Sequence, residues 1–392
     1  MNNLRENKPT ADILMLSMRA MGYSFESAVA DIVDNSISAE AKRISIRFAI
    51  DPKNLYVAIC DDGHGMSSEE LFDAMKYRSE QKRAGRSESD LGRFGLGLKS
   101  ASLSQCRKLT VASKKDGHIS AYVWDLDVVE QKKDWYIIEC TEDQIKEING
   151  ITWLEINEHG TIVVWENFDL LEKSTGSVYS TLTKYQESVD NYLSLIFHRY
   201  LNRPKTTGVE VSINNHKLTG LDPFLENHNK TNVRKCVRIP IMDSTGVERM
   251  VVVQPFVLPF QKDLTDEDKR LSGGIENYRS RQGFYIYRNE RLIVWGKSLA
   301  TIATVATLLC RRAFASTYLR IEGCVTLDKF SAIVFEMYTR HLLIVNHGVQ
   351  LRTGSQCRSV RRLSLKKQAL ASFPNIISLR SRRILMYEPY SF

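Results

Sequence analysis

Four short stretches of this chain carry residue types that chemistry needs in company. They are Asp31-Ile32-Val33-Asp34-Asn35-Ser36, Asp61-Asp62-Gly63-His64-Gly65-Met66, Gly92-Arg93-Phe94-Gly95-Leu96-Gly97-Leu98-Lys99-Ser100 and Gly160-Thr161. Together they supply carboxylates, an amide, a glycine-rich loop with a lysine, and a hydroxyl. Backbone N–H groups freed by glycines, with a helix N-terminus behind them, attract phosphate. A neutral amide oxygen suits a hard cation that also binds phosphates. The inventory is what ATP and Mg2+ need.

The elements that must position these groups are legible. Ser24 is an N-cap for a helix over residues 24–41. At helical spacing Asp31, Asp34, Asn35 and Ser38 share a polar face, and Phe25, Val29, Ile32, Val33 and Ile37 face a core. Asn35 follows Asp31 by one turn, so both side chains point the same way. Asn35 is a candidate Mg2+ ligand, and Asp31 a candidate base for a water attacking a phosphate.

Apolar residues alternate over 43–50 and 55–59, and Asp51-Pro52-Lys53-Asn54 between them is a turn signal, so the pair reads as a hairpin. The second strand runs into Asp61, which at its end can accept a hydrogen bond from an exocyclic amine such as that of adenine. Gly63 and Gly65 let the backbone turn and approach a ligand closely. Met66 offers a soft surface to a flat ring. Ser67 and Glu70 form a capping box that starts a helix to about Tyr77. Residues 78–90 read as a polar loop. Beyond it Gly92, Gly95 and Gly97 leave N–H groups for an anion, with Lys99 as a point charge and Ser100 next to it. The spacing is not that of a P-loop, and no βαβ unit precedes it as a dinucleotide fingerprint requires.

In order and spacing the four stretches resemble the motifs of the GHKL ATPases over residues 20–165. The wording of Asp34-Asn35-Ser36, Leu91 to Lys99 and Gly160-Thr161-Ile162-Val163-Val164-Trp165-Glu166-Asn167 is most similar to MORC-like and MutL-like members, including bacterial ones. The resemblance implies an α+β fold: a Bergerat-type α/β sandwich for ATP, followed by a transducer-like α/β domain. It makes Asn35 the magnesium ligand, Asp61 the adenine reader, Gly92 to Lys99 the lid and phosphate contact, and Thr161 a base-side hydroxyl. Asp31 stands where the family usually has a catalytic glutamate, and Ser38 where an acidic residue is frequent. The histidine-kinase branch needs a phosphoacceptor histidine before the ATP domain, and no histidine precedes Asn35.

A length of 392 residues with 43% hydrophobic content allows two or three domains with sizeable cores. The expected division is 1–172 for the ATP domain, closing after a hairpin of Ile151–Ile156 and Thr161–Trp165, then 173–300 and 301–392. Residues 174–200 read as helical. Strand-like runs follow at Val209–Ile213, Cys236–Met242, Met250–Leu258, Phe284–Tyr287 and Leu292–Trp295, the last two joined by an Arg288-Asn289-Glu290-Arg291 turn. The resemblance implies a transducer lysine reaching the γ-phosphate, with Lys262, Lys269 and Lys297 as candidates. Seven cysteines without a CxxC pair, and no signal peptide, point to reduced thiols in a cytoplasmic protein. The longest weakly polar run, Leu299–Leu309, is too short for a bilayer.

Charge is uneven. Residues 301–392 hold 14 Lys and Arg against four Asp and Glu, which leaves −2 for the first 300 residues of a chain with net charge +8. Such a basic tail reads either as a nucleic-acid surface or as an atypical segment from a shifted reading frame. The expectation is a slow Mg2+-dependent ATPase that forms an ATP-dependent homodimer and acts on DNA or a protein partner. Alternatives are a nucleotide-dependent binding or sensor module with little hydrolysis, and a chaperone-like ATPase.

Overall fold

A computed structural model of the protein describes residues 9–77, 97–297 and 317–322, apart from 21, 52, 173–176, 205, 243–247, 275–277, 279, 280 and 282. Helix α1 (Ala11–Arg19) leads to α2 (Phe25–Ser38), whose N-cap Ser24 accepts the Ser27 N–H at 3.2 Å. Phe25, Val29, Ile32 and Val33 are at most 2% exposed, so α2 lies embedded by one broad face. Each such side chain stabilises the fold by about 1.5–3 kcal/mol. The helix ends at Ser38, three residues before the expected stop, because Glu40 turns left-handed (φ 61°) and the Ala41 N–H closes back on the Ser36 carbonyl.

The hairpin of β1 (Arg43–Asp51) and β2 (Asn54–Asp61) forms as expected. Helix α3 (Ser68–Met75) starts on the Ser67/Glu70 capping box. Then come α4 (Gly97–Gln105), β3 (Lys108–Lys115), β4 (His118–Asp125), α5 (Leu126–Lys132), β5 (Ile138–Glu139), α6 (Glu142–Lys146), α7 (Thr152–Ile156) and β6 (Gly160–Glu166). After α8 (Asp169–Glu172), α9 (Val178–Ile196) and α10 (His198–Leu201), strands β7 (Glu210–Ile213) and β8 (His216–Lys217) join the same sheet. Its order is β5-β4-β3-β6-β2-β1-β7-β8, and β1–β7 is its one parallel pairing among the described residues. The sheet of the nucleotide motifs thus continues past residue 172.

Side-chain alternation along the central strands divides the core. Val57, Ile59, Leu109, Val111, Val163 and Trp165 pack with α2, α4 and α9, while Ala58, Cys60, Ala112, Ile162 and Val164 pack with Ile151 and Leu154 on the opposite face. Residues 151–156, expected as a strand, are instead helix α7 and its N-cap Ile151. Ile151 and Leu154 are the buried pair, three apart, and Thr152 and Glu155 are exposed, a helical period in a run too short to reveal it.

Strands β9 (Asn232–Val233), β10 (Val237–Met242), β11 (Glu248–Val257), β12 (Gly283–Arg288), β13 (Arg291–Lys297) and β14 (Thr317–Glu322) form a second sheet, with α11 (Asp266–Leu271) between β11 and β12 in the chain. Asn289 and Glu290 both take left-handed φ (46° and 66°), the primed turn that matches strand twist in a two-residue hairpin. Strand β14 comes from the segment read as atypical, yet pairs antiparallel with β11 and parallel with β12. The rest of 301–392 lies outside the described residues. The class is α+β.

Candidate nucleotide site

The central strands bring three side chains into one row. Asp61 at the end of β2 is opposite Thr161 of β6, and Thr161 is opposite Ser113 of β3. All three have the parity of the helix-facing core residues, so they gather beside α2. Asp61 is 5% exposed, and its carboxylate accepts three hydrogen bonds. Ser36 Oγ donates to Oδ2 at 2.8 Å, while the Gly63 N–H (2.9 Å) and the Thr161 N–H (3.2 Å) donate to Oδ1. Burial pushes its pKa up, opposed by those three bonds. Ser113 Oγ lies 2.9 Å from Thr161 Oγ1 and accepts the Met66 N–H at 2.9 Å, so the turn after β2 is tied to β3.

Glycine is obligatory in this turn. A Cβ on Gly65, at φ +67°, would meet the Lys114 carbonyl oxygen at 1.9 Å, and one on Gly160, at φ +146°, the Asp61 carbonyl oxygen at 2.2 Å. Gly65→Ala therefore has to displace backbone as well as adopt a left-handed conformation. We expect a loss of about 2–3 kcal/mol, read as a drop in thermal midpoint of roughly 5–10 °C. An unchanged midpoint would show that the turn can open freely.

On α2, Asp31 is half-buried, Asn35 is exposed and Asp34 is buried. The Gly97 Cβ position is 3.9 Å from Asp31 Oδ2, so the first turn of α4 and Asp31 are neighbours. Tyr23 also lies against Asp31, and its pKa rises through burial first and the nearby carboxylate second. Burial drives the Asp34 pKa up to about 7 against the pull of Arg291. Arg291, from the second sheet, forms an ion pair with Asp34 and approaches Asp31 at 3.4 Å.

Of the sequence-derived candidates, Asp61, Gly63, Gly65, Met66 and Thr161 come together at the strand ends, Asp31 and Asn35 lie on α2, and Gly97 begins α4 beside Asp31. Ser100 is buried on α4. Lys99 is drawn elsewhere: it is 2% exposed, and its ammonium donates at 2.7 Å to the carbonyls of Ala74 and Lys76, capping the end of α3. Gly92 and Gly95 lie outside the described residues. Among the transducer candidates, Lys269 pairs with Asp266 at 2.6 Å and Lys262 stands 6.0 Å from the Phe260 ring. The side chain of Lys297 lies outside the described ones. Sequence reasoning missed Ser36, Ser113 and Arg291. Ser36 carried a signal, a hydroxyl in line with Val29 and Ile32 on the apolar face of α2. Arg291, 260 residues from Asp31 along the chain, carried none.

Residues 23–161 match the family model described as histidine kinase-, DNA gyrase B- and HSP90-like ATPase. They form a GHKL ATPase domain related to those of MORC and HSP90 proteins. Over 95 residues the chain is 36% identical to ATPase morc-1 of Caenorhabditis elegans, covering 24% of this chain and 11% of that protein. It is 30% identical over 106 residues to heat shock protein 90-5, chloroplastic, of Arabidopsis thaliana (24% and 14%), and 32% over 93 residues to MORC family CW-type zinc finger protein 1 of Homo sapiens (23% and 9%). The chain thus spans between 9% and 14% of the length of these relatives.

Proposed function

We propose that this chain binds ATP with Mg2+ between α2, the Asp61 turn and the first turn of α4, and that it hydrolyses ATP slowly. The observation that carries the reading is the Asp61 carboxylate, held by Ser36, Gly63 and Thr161 at the end of β2, in a turn whose Gly65 packs against the Lys114 backbone. A carboxylate can accept about four hydrogen bonds, so with three donors in place one remains for an adenine amine. The donor set also fits the metal: Asn35 offers a neutral oxygen on an exposed helix face, and Mg2+ prefers few protein oxygens beside phosphates and water. Bound ATP would supply the phosphoanhydride bond and the oxygens that share the metal. Asn35 would hold that metal, Thr161 would face the base, the N–H groups at the start of α4 would face phosphate, and Asp31 would orient the attacking water.

The division into a nucleotide domain, a transducer-like domain and a basic segment, expected at 1–172, 173–300 and 301–392, belongs to the same proposal, with β7 and β8 counted to the first sheet and β14 to the second. So do a homodimer clamped by nucleotide, action on DNA or a protein partner, and a cytoplasmic setting. Among the described residues no helix is long and apolar enough to cross a membrane. ATP titrated calorimetrically into the full chain tests the reading, with EDTA as the control for the metal. Saturable binding that weakens on chelation is expected, and light scattering of the same samples reports dimerisation. Absence of binding would overturn the assignment. The sensor reading remains as a second one because Asp31 is a methylene shorter than glutamate and stands 3.4 Å from Arg291.

A further inference from the structure

Arg291 begins β13, in the sheet that follows the nucleotide domain, yet its guanidinium meets the helix of the nucleotide site. Nη1 pairs with Asp34 Oδ2, Nη2 is 3.4 Å from Asp31 Oδ1, and the group lies 5.7 Å from the centre of the Phe197 ring. The hairpin tip that carries it is fastened beside α10: the Tyr200 hydroxyl donates to the Asn289 carbonyl, and Arg203 pairs with Glu290. A guanidinium presents its N–H groups in a fixed plane, so one rigid group can set the separation of two carboxylates.

Stability alone accounts poorly for this pair. The side chains of Arg291 and Asp34 are 14% and 4% exposed, and Arg291 Nε and Asp34 Oδ1 are buried with no hydrogen-bond partner among the described residues. A buried pair with unsatisfied atoms regains little of its desolvation cost, and an apolar pair would pack as well. What an apolar pair would not provide is contact with Asp31. That carboxylate has Arg291 on one oxygen, Gly97 beside the other and Tyr23 against it.

We propose that Arg291 is a positioning residue for the chemistry at α2: anchored on Asp34, it fixes the Asp31 carboxylate beside the first turn of α4, so that turnover depends on the β12–β13 hairpin being seated. The inference rests on the ATP reading above and adds the residue through which the second sheet acts on that site.

The test measures kcat and, separately, the Kd for a non-hydrolysable ATP analogue with Mg2+ in the full chain, for wild type, Arg291→Ala, Arg291→Lys and Asp34→Asn. Arg291→Ala should lower kcat by about 10- to 100-fold, the scale of a misplaced catalytic group, and leave Kd within about threefold. Arg291→Lys should recover part of the rate, because one ammonium can satisfy Asp34 without spanning both carboxylates. Guanidinium chloride at millimolar strength should raise the Arg291→Ala rate and leave wild type unmoved. The Arg291→Ala/Asp34→Asn double variant should lose no more than Arg291→Ala alone, as expected for residues acting as one unit. An unchanged kcat in Arg291→Ala overturns the proposal. Equal falls in affinity and rate without guanidinium rescue also overturn it, since they mark a purely structural role. Should Arg291→Ala not fold, the kcat-against-Kd split in Arg291→Lys and Asp34→Asn decides by the same criteria. A wild type that binds the analogue but does not turn over overturns it too, whereas a wild type that binds no analogue overturns the ATP reading itself.

Discussion

Asp61→Asn is expected to weaken ATP binding about a hundredfold, roughly 2.7 kcal/mol, while leaving the domain folded. The fold should survive because the amide matches the carboxylate in shape and its remaining oxygen can still accept the Gly63 and Thr161 N–H groups. On the other side, the Ser36 hydroxyl can reverse and accept from the new NH2. Burial already pushes the Asp61 pKa up, so removing the charge relieves a desolvation cost, and thermal stability should hold or rise. Binding fails for a separate reason. An adenine amine needs an acceptor, and the substituted side chain turns a donor toward it. Calorimetry and a melting curve on the same sample separate the two effects. Wild-type affinity in a folded Asp61→Asn protein would remove adenine recognition from this turn. Asn35→Ala makes the complementary cut. Its loss should fall on the Mg2+-dependent part of affinity and vanish in EDTA, because Asn35 offers oxygen to the metal rather than to the base.

What the sequence made legible was set by local rules. The Asp61–Met66 turn was readable because a strand end, two glycines and a following capping box each act over a few residues, and the structure draws Asp61 and Thr161 together through simple strand pairing. The α2 face was readable for the same reason, though periodicity placed Asp34 on one polar face with Asn35 and Ser38, which are exposed while Asp34 is buried. Its burial depends on Arg291, which no window around Asp34 contains. Lys99 shows the limit most clearly. A lysine after a glycine loop suggests phosphate, but the ammonium caps α3 through two carbonyls supplied by Ala74 and Lys76. Only the packing of α4 on its neighbours decides that choice. Ile151–Ile156 was misread because six residues barely contain one and a half helical turns, so periods of two and three compete on equal terms. Strand β14 escaped notice because its partners, β11 and β12, lie outside any local window around it.

Asp31→Asn should retain ATP affinity within about threefold and lose hydrolysis by about 10²- to 10⁴-fold, the range that general bases contribute. Asparagine keeps the size and polarity of aspartate, and the space beside Gly97 and Tyr23 should be unchanged. It cannot take a proton from water. It also leaves Arg291 with Asp34 as its remaining carboxylate, and that is the shorter of its two contacts, so the hairpin should stay seated. Asp31→Glu separates reach from basicity. The extra methylene extends the carboxylate beyond Arg291 and toward the first turn of α4. If reach limits wild-type turnover, glutamate should hydrolyse ATP faster than aspartate at equal affinity. Single-turnover measurements with saturating Mg2+–ATP distinguish the outcomes, because they read the chemical step apart from product release. Unaltered turnover in Asp31→Asn would remove Asp31 as the base. The position would then serve to hold Arg291, and a nucleotide sensor with little hydrolysis would become the better description of this chain.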